Sequence, residues 1–262
     1  MRALAVHRDV VVLVSRVWQT TCTLVRGGDE GFAIDSPVYP DELEAAGELA
    51  RQAGFDVRGL LATHADFDHL LGPLAFPGAA LGVAETTAAR LRAEPGAPQR
   101  ELRASDAEHY VARPRPLSLG AVQALPVPGA CELGDRELGL IPADGHTPDG
   151  MAVWIPHARV LVCGDYLSPV EIPVIGAGGL DAYRATLERL AERLAQAEQV
   201  IPGHGEPLED PAARRILDED RAYLEALAGA DPRPVLPAGR ASSRQRQLHA
   251  QNLAAVAERG RP

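Results

Sequence analysis

Apolar residues in this chain fall first into short alternating or continuous runs divided by Gly-, Pro- and Asp-containing turns, and later into longer stretches with a helical period. Residues 10–17, 21–26 and 31–34 are such short runs, and Gly27-Gly28-Asp29 supplies the turn between the last two. Residues 40–53 carry Leu43, Ala46 and Ala50 on one helical face, with Gly54 placed as the residue that ends the helix. A buried strand is expected at 57–62. Residues 84–115 read as irregular helix, broken by Pro95, Pro98, Pro114 and Pro116.

The strand pattern returns at 121–125, 130–133, 137–141, 151–155 and 160–163. A Pro/Gly-rich loop, 169–179, is either a lid or a plain connection. Leu180, Tyr183, Leu187, Leu190 and Leu194 then form a stripe that predicts an amphipathic helix over 180–197. Residues 199–201 form a short strand, and Asp210-Pro211 opens a helix running to about residue 227. A breaker-rich linker, 231–239, leads to a final helix near 243–258. The order is strands–helix–strand, then strands–helix–strand–helix. It predicts an α/β fold of two similar halves, each a sheet covered by helices.

A chain of 262 residues is long enough for one substantial domain or two small ones. The most apolar stretch, 10–14, is bounded by Asp9 and Arg16 and is too short to span a membrane. Arg2, His7, Arg8 and Asp9 also interrupt any secretory apolar region, so a cytoplasmic location is expected. The net charge of −10 argues against a nucleic-acid partner. The six arginines of residues 231–262 read as a solvated helix face in preference to an anion-binding surface. All 26 basic residues are arginine. The lack of lysine removes Schiff-base catalysis, Ser-Lys hydrolysis and the phosphate-loop lysine together. Cys22, Cys131 and Cys163 form no CxxC pair and read as small buried apolar residues, Cys163 being the one expected near the site.

The chemistry is concentrated in four short clusters. These are Thr63-His64-Ala65-Asp66-Phe67-Asp68-His69, Gly145-His146-Thr147-Pro148, Gly164-Asp165 and Pro202-Gly203-His204-Gly205. They hold half of the eight histidines, and imidazole and carboxylate collected from distant parts of a chain are what a metal centre requires. His7, His109, His157 and His249 lack that context and read as ordinary core or surface residues. Asp35 is either a carboxylate orienting a ligand histidine or a strand-end turn residue. Asp144 and Asp149 read as turn formers, and Tyr166 as a packing residue more than an oxyanion donor.

As a set, these clusters resemble the metallo-β-lactamase superfamily, whose signature is HxHxDH followed by a histidine, an aspartate and a late histidine, each in a Gly-containing turn. The resemblance covers roughly residues 10–228, with 1–230 as the domain and 231–262 as linker and C-terminal helix packed upon it. It implies a four-layer αβ/βα sandwich with the metal site at one edge of the sheets. It also implies two divalent ions, zinc first and iron or manganese as alternatives. His64, Asp66 and His146 would hold one, Asp68, His69 and His204 the other, and Asp165 would bridge them.

The sequence departs from the signature at Asp66, where the family usually has histidine. Asp66 either ligates through an oxygen or points away; ligation is the favoured reading. Two dications less three aspartates and one hydroxide leave a centre near zero charge, less able to acidify bound water than the usual site. The implied activity is hydrolysis of a small ester, thioester or lactone by metal-bound hydroxide, with Asp68 orienting the water or moving its proton. β-Lactams are less favoured because no lysine is present to grip a substrate carboxylate. Two other readings stand beside it: a mononuclear iron oxidoreductase related to persulfide dioxygenases, and a non-catalytic metal-binding scaffold. A small-molecule substrate is expected in the first two cases; the oligomeric state is open.

Overall fold

The computed structural model describes residues 1–229, 236–237 and 239–259. The expected linker 231–239 lies largely outside the described residues. The first sheet has seven strands in chain order: β1 (Arg2–His7), β2 (Val10–Val14), β3 (Thr21–Gly27), β4 (Glu30–Asp35), β5 (Val57–Ala62), β6 (Ala80–Ala84) and β7 (Val122–Leu125). β1 to β4 pair antiparallel, and β4 to β7 pair parallel. Four helices belong to this half: α1 (Pro40–Gln52), α2 (Gly72–Ala75), α3 (Glu85–Ala93) and α4 (Ala97–Glu108).

The second sheet contains β8 (Gly129–Leu133), β9 (Arg136–Pro142), β10 (Met151–Ile155), β11 (Val160–Val162), β12 (Gln199–Ile201) and β13 (Leu208–Glu209), in the spatial order β13-β12-β11-β10-β9-β8. Only β11 and β12 pair parallel, and α5 (Leu180–Leu194) makes the crossover between them. α6 (Asp210–Ala228) and α7 (Ser243–Arg259) complete this half.

Strand alternation explains the layering. On β2, Val10, Val12 and Val14 face the core between the sheets, while Leu13 joins the core beneath α1. On β10, Met151, Val153 and Ile155 meet them from the other sheet, whereas Ala152 and Trp154 face α5 and α6. The resulting order is helices, sheet, sheet, helices. Each fully buried Val, Leu or Ile side chain in these layers contributes about 1.5–3 kcal/mol, so a one-residue register slip in β2 or β10 would be prohibitive. The α1 expectation holds in detail: Leu43, Ala46 and Ala50 are buried, and Gly54 takes the positive φ of +74° that ends the helix.

Because β4 and β5 are parallel, and β9, β11 and β12 share one direction, the C-terminal ends of all five strands lie at one edge of the sandwich. Hydrogen bonds across the sheets stitch that edge: Met151 N to Thr63 O at 2.8 Å, and Thr21 N to Gly203 O at 2.8 Å. No helix among the described residues is long and apolar enough to cross a membrane.

Candidate metal centre

Each motif of the sequence begins where one of these strands ends. β5 delivers Thr63 and His64, and a short 3-10 turn, Phe67–His69, swings Asp68 and His69 back toward them. The loop after β9 carries His146, that after β11 carries Asp165, and that after β12 carries His204. All seven expected residues converge.

They form two groups joined by a bridge. His64 Nε2 and His146 Nε2 lie 3.7 and 3.6 Å from Asp66 Oδ2. His69 Nε2 and His204 Nε2 lie 3.7 and 3.5 Å from Asp68 Oδ2. Asp165 stands between the groups: Oδ2 is 3.8 Å from His64, 3.2 Å from His146 and 3.4 Å from His204, while Oδ1 is 3.1 Å from His69. Within each group the donor atoms lie within 4.8 Å of one another. Donors at the corners of a tetrahedron with zinc–ligand distances near 2.0–2.1 Å are separated by about 3.3–3.4 Å, so the cluster has the right scale.

Three of the four ring nitrogens on the far side have hydrogen-bond partners. His64 Nδ1 is 3.0 Å from Thr63 Oγ1, His146 Nδ1 is 3.2 Å from Val174 O, and His204 Nδ1 is 3.1 Å from Trp18 O. His69 Nδ1 stands 3.0 Å from Asp35 Oδ2. These partners orient every Nε2 inward. By contrast, His64 Nε2, both ring nitrogens of His69 and Asp165 Oδ1 are buried without a hydrogen-bond partner among the described residues, and all but His69 Nδ1 face the cluster. Buried polar atoms in that condition are costly unless a cation satisfies them. The donor set therefore fits divalent metal.

The electrostatics follow from the same proximity. Burial opposes charge on every group here, yet the mixture of carboxylates and imidazoles outweighs it. Asp165, surrounded by His204, His69 and His64, is held well below the usual carboxylate range, and Asp66 likewise by His146 and His64. In the same way, Asp165, Asp35 and Asp68 hold His69 well above the usual imidazole range, Asp165 and Asp66 raise His146, and His204 is pushed up to about 9.

A family profile described as the metallo-beta-lactamase superfamily matches residues 15–204. That span covers all seven expected ligand residues and most of the chain. The chain belongs to the metallo-β-lactamase superfamily. Within the superfamily, it is 26% identical over 78 residues to a metallo-beta-lactamase type 2 of Pseudomonas aeruginosa, covering 30% of this chain and 32% of that protein. It is 32% identical over 68 residues to the type 2 enzyme of Bacillus sp. (strain 170), covering 24% and 26%. The matched segments thus span a third or less of those relatives. Among solved structures, a metallo-beta-lactamase family protein from Thermus thermophilus superposes with TM-score 0.66 at 22% identity, over 86% of this chain and 83% of that one. The stereoselective inverting sec-alkylsulfatase Pisa1 from Pseudomonas sp. gives TM-score 0.74 at 15% identity, over 98% and 50%. These likenesses establish the superfamily fold.

Several other side chains take places that sequence reasoning left open or assigned otherwise. Asp35 is the orienting carboxylate: its Oδ1 accepts from Thr63 N at 2.8 Å and its Oδ2 from Thr63 Oγ1 at 2.9 Å, beside His69. It adopts φ +58°, a left-handed conformation that Asp tolerates better than most residues. Asp149 is no mere turn former. It is 1% exposed, accepts from Ala65 N at 3.0 Å and pairs with Arg90 Nη1 at 2.9 Å. Asp144 instead binds Arg189 and Thr186. Tyr166 is a support, as expected: its hydroxyl accepts from His146 N and its ring packs on Tyr183. His7, His109, His157 and His249 stay outside the cluster, each with its own hydrogen-bond partner. Cys163 is buried two residues before Asp165, and burial pushes its thiol up, so it is a packing residue.

The tail corrects one expectation. Arg240 is not solvated: it is 1% exposed, ion-paired to Asp220 and Glu219, and donates to Ser168 O and Glu171 O. Arg244 lies over the Trp18 ring and pairs with Glu171 at 3.3 Å. Glu171 in turn has a carboxylate oxygen within 4.8 Å of the donor atoms of Asp165 and His204, a neighbour that no motif announced. Nor is the loop 169–179 a free lid. Ile172 N donates to Gln245 Oε1 at 2.7 Å, Ile175 N to Asn252 Oδ1 at 2.8 Å, and Asn252 Nδ2 to Pro173 O at 2.7 Å.

Proposed function

We propose that this chain hydrolyses a small ester, thioester or lactone at a dinuclear divalent-metal centre, with zinc the first candidate. One observation carries the reading: two groups of three donors, His64–Asp66–His146 and Asp68–His69–His204, face each other across Asp165. When bound, the cations supply an acidified water nucleophile and polarise the carbonyl under attack. His64, Asp66 and His146 would hold the first ion; Asp68, His69 and His204 would hold the second; Asp165 would touch both.

The remaining work falls to the chain. Asp68, 3.7 and 3.5 Å from His69 and His204, would orient the attacking water and accept its proton before passing it to the leaving group. Two donor groups in place of one support the dinuclear hydrolase over a mononuclear iron oxidoreductase. The relatives' names raise β-lactams as a rival substrate class, although the similarity covers only a third of those enzymes and this chain has no lysine.

The test joins elemental analysis of untreated protein to a substrate panel of thioesters, lactones, p-nitrophenyl esters and a chromogenic cephalosporin. The expected result is about two zinc ions per chain and turnover confined to the acyl esters, thioesters or lactones, with His69→Ala and His204→Ala losing metal and activity together. Full activity in those variants, or turnover of the cephalosporin alone, would overturn the proposal.

A further inference from the structure

Asp66 uses its two carboxylate oxygens differently. Oδ2 faces His64 Nε2 and His146 Nε2, as a ligand oxygen should, whereas Oδ1 turns away and lies 3.0 Å from Arg90 Nη1. Arg90 comes from α3, outside every motif, and is itself anchored: the same Nη1 donates to Asp149 Oδ1 at 2.9 Å. Asp149 Oδ2 accepts from Ala65 N, the residue before Asp66. Ala65 amide, Asp149, Arg90 and Asp66 therefore form a closed loop of contacts around the first ligand segment.

We infer that Arg90 is a positioning residue that makes Asp66 serve in place of histidine; the inference rests on Asp66 being a ligand as proposed above. An imidazole presents a single nitrogen, fixed in direction by the partner of its other nitrogen. A free carboxylate can rotate and bind through either oxygen or both. The guanidinium occupies Oδ1, so only Oδ2 remains for the cation, with its direction set by α3. The contact also places a positive charge beside the one ligand that is more negative than the usual histidine. Asp149 then has a reason to be buried beside a ligand loop: it holds the guanidinium that holds the ligand.

The experiment measures zinc affinity by competition with a chromophoric chelator, after metal removal, in wild type, Arg90→Met, Arg90→Lys, Asp66→His and Asp66→His/Arg90→Met. Loss of a partner that orients a ligand lowers metal affinity by about 10–100-fold. Arg90→Met is expected to weaken one of the two zinc sites by that factor, and Arg90→Lys by less. In the Asp66→His background the same Arg90→Met change should cost less than about threefold, because an imidazole needs no guanidinium. An equal loss in both backgrounds, or none in the wild-type background, overturns the inference. Arg90→Met/Asp149→Asn removes the stranded buried carboxylate and supplies a folded comparison should Arg90→Met alone misfold. Asp66→Ala separates the two levels: unchanged zinc affinity there removes Asp66 from the ligand set whatever Arg90 does, whereas a loss there with indifference to Arg90 defeats this inference alone.

Discussion

Asp35 Oδ2 lies 3.0 Å from Nδ1 of His69, and both side chains are almost wholly enclosed. The contact joins the end of β4 to the ligand turn after β5, because the same carboxylate also receives the amide and hydroxyl of Thr63. A single group therefore fixes the backbone entering the first motif and the ring that closes it. Asp35→Ala is expected to lower the affinity of the second metal site by about 10–100-fold, and Asp35→Asn by less. Zinc titration of the metal-stripped variants checks this; an unchanged affinity in Asp35→Ala would leave Asp35 with only a structural part.

Gly203 is required by close approach. A Cβ there would collide with Asp165 Oδ1 and press on Cε1 of His69. Gly203→Ala should therefore displace the bridging carboxylate, lowering metal content per chain while costing about 1–3 kcal/mol of stability as overpacking. Elemental analysis together with denaturant unfolding reads both effects. Normal metal content would show that the bridge tolerates the shift.

Removing metal should destabilise the fold. Ions that bind only the native state stabilise it by about 4 kcal/mol at a thousandfold excess over Kd, which corresponds to roughly 8–16 °C in Tm. Differential scanning fluorimetry before and after chelation, then after zinc is restored, is the measurement. A Tm that ignores chelation and repletion would mean that the cluster holds no ion tightly.

Acid stability should depend on Glu42. Burial works against its charge, but the Ser15 hydroxyl and the Arg16 amide donate to it and hold it below the usual carboxylate range. A carboxylate depressed in the folded state stabilises at pH above its unfolded value, and that contribution disappears as pH falls through the folded value. The stability difference between wild type and Glu42→Gln should thus be constant between about pH 5 and 7, where the Met1 amino group paired with Glu42 stays charged, and shrink below about pH 5. Urea unfolding across that range decides; a difference independent of pH would assign the loss to packing.

Most of this architecture is readable along the chain because period and position agree. Strands such as β2 and β10 alternate cleanly between two apolar environments, and each ligand motif sits at a strand end where a turn residue marks it. Other features take a different form. β1 is only partly buried, with Leu4 and Val6 on the inter-sheet core, and the polar Arg2 and His7 at its ends mask it, so its pairing with β2 defines it. β6 contains a glycine and two alanines among its five residues and gives only a weak strand signal. Arg90 and Glu171 reach the site from segments without a motif, and Asp149, beside the His146 turn, acts through Ala65 and Arg90, contacts that span dozens of positions. Spacing rules address neighbours along a helix or strand and are blind to such pairs. Arg240 escapes them for a related reason: an arginine-rich segment reads as solvated until a buried Asp220 is found opposite it.

The pinned loop couples two distant parts of the polypeptide. Gln245 and Asn252 grip the backbone at Ile172, Pro173 and Ile175, and the carbonyl of Val174 between them faces the ring of His146. Amide side chains on α7, beyond the span matched by the family profile, thereby reach a metal-facing imidazole through one intervening peptide segment. Sequence drift in that terminal helix can retune the centre while every motif residue stays the same, so chains sharing the motifs but differing after residue 240 need not share reactivity.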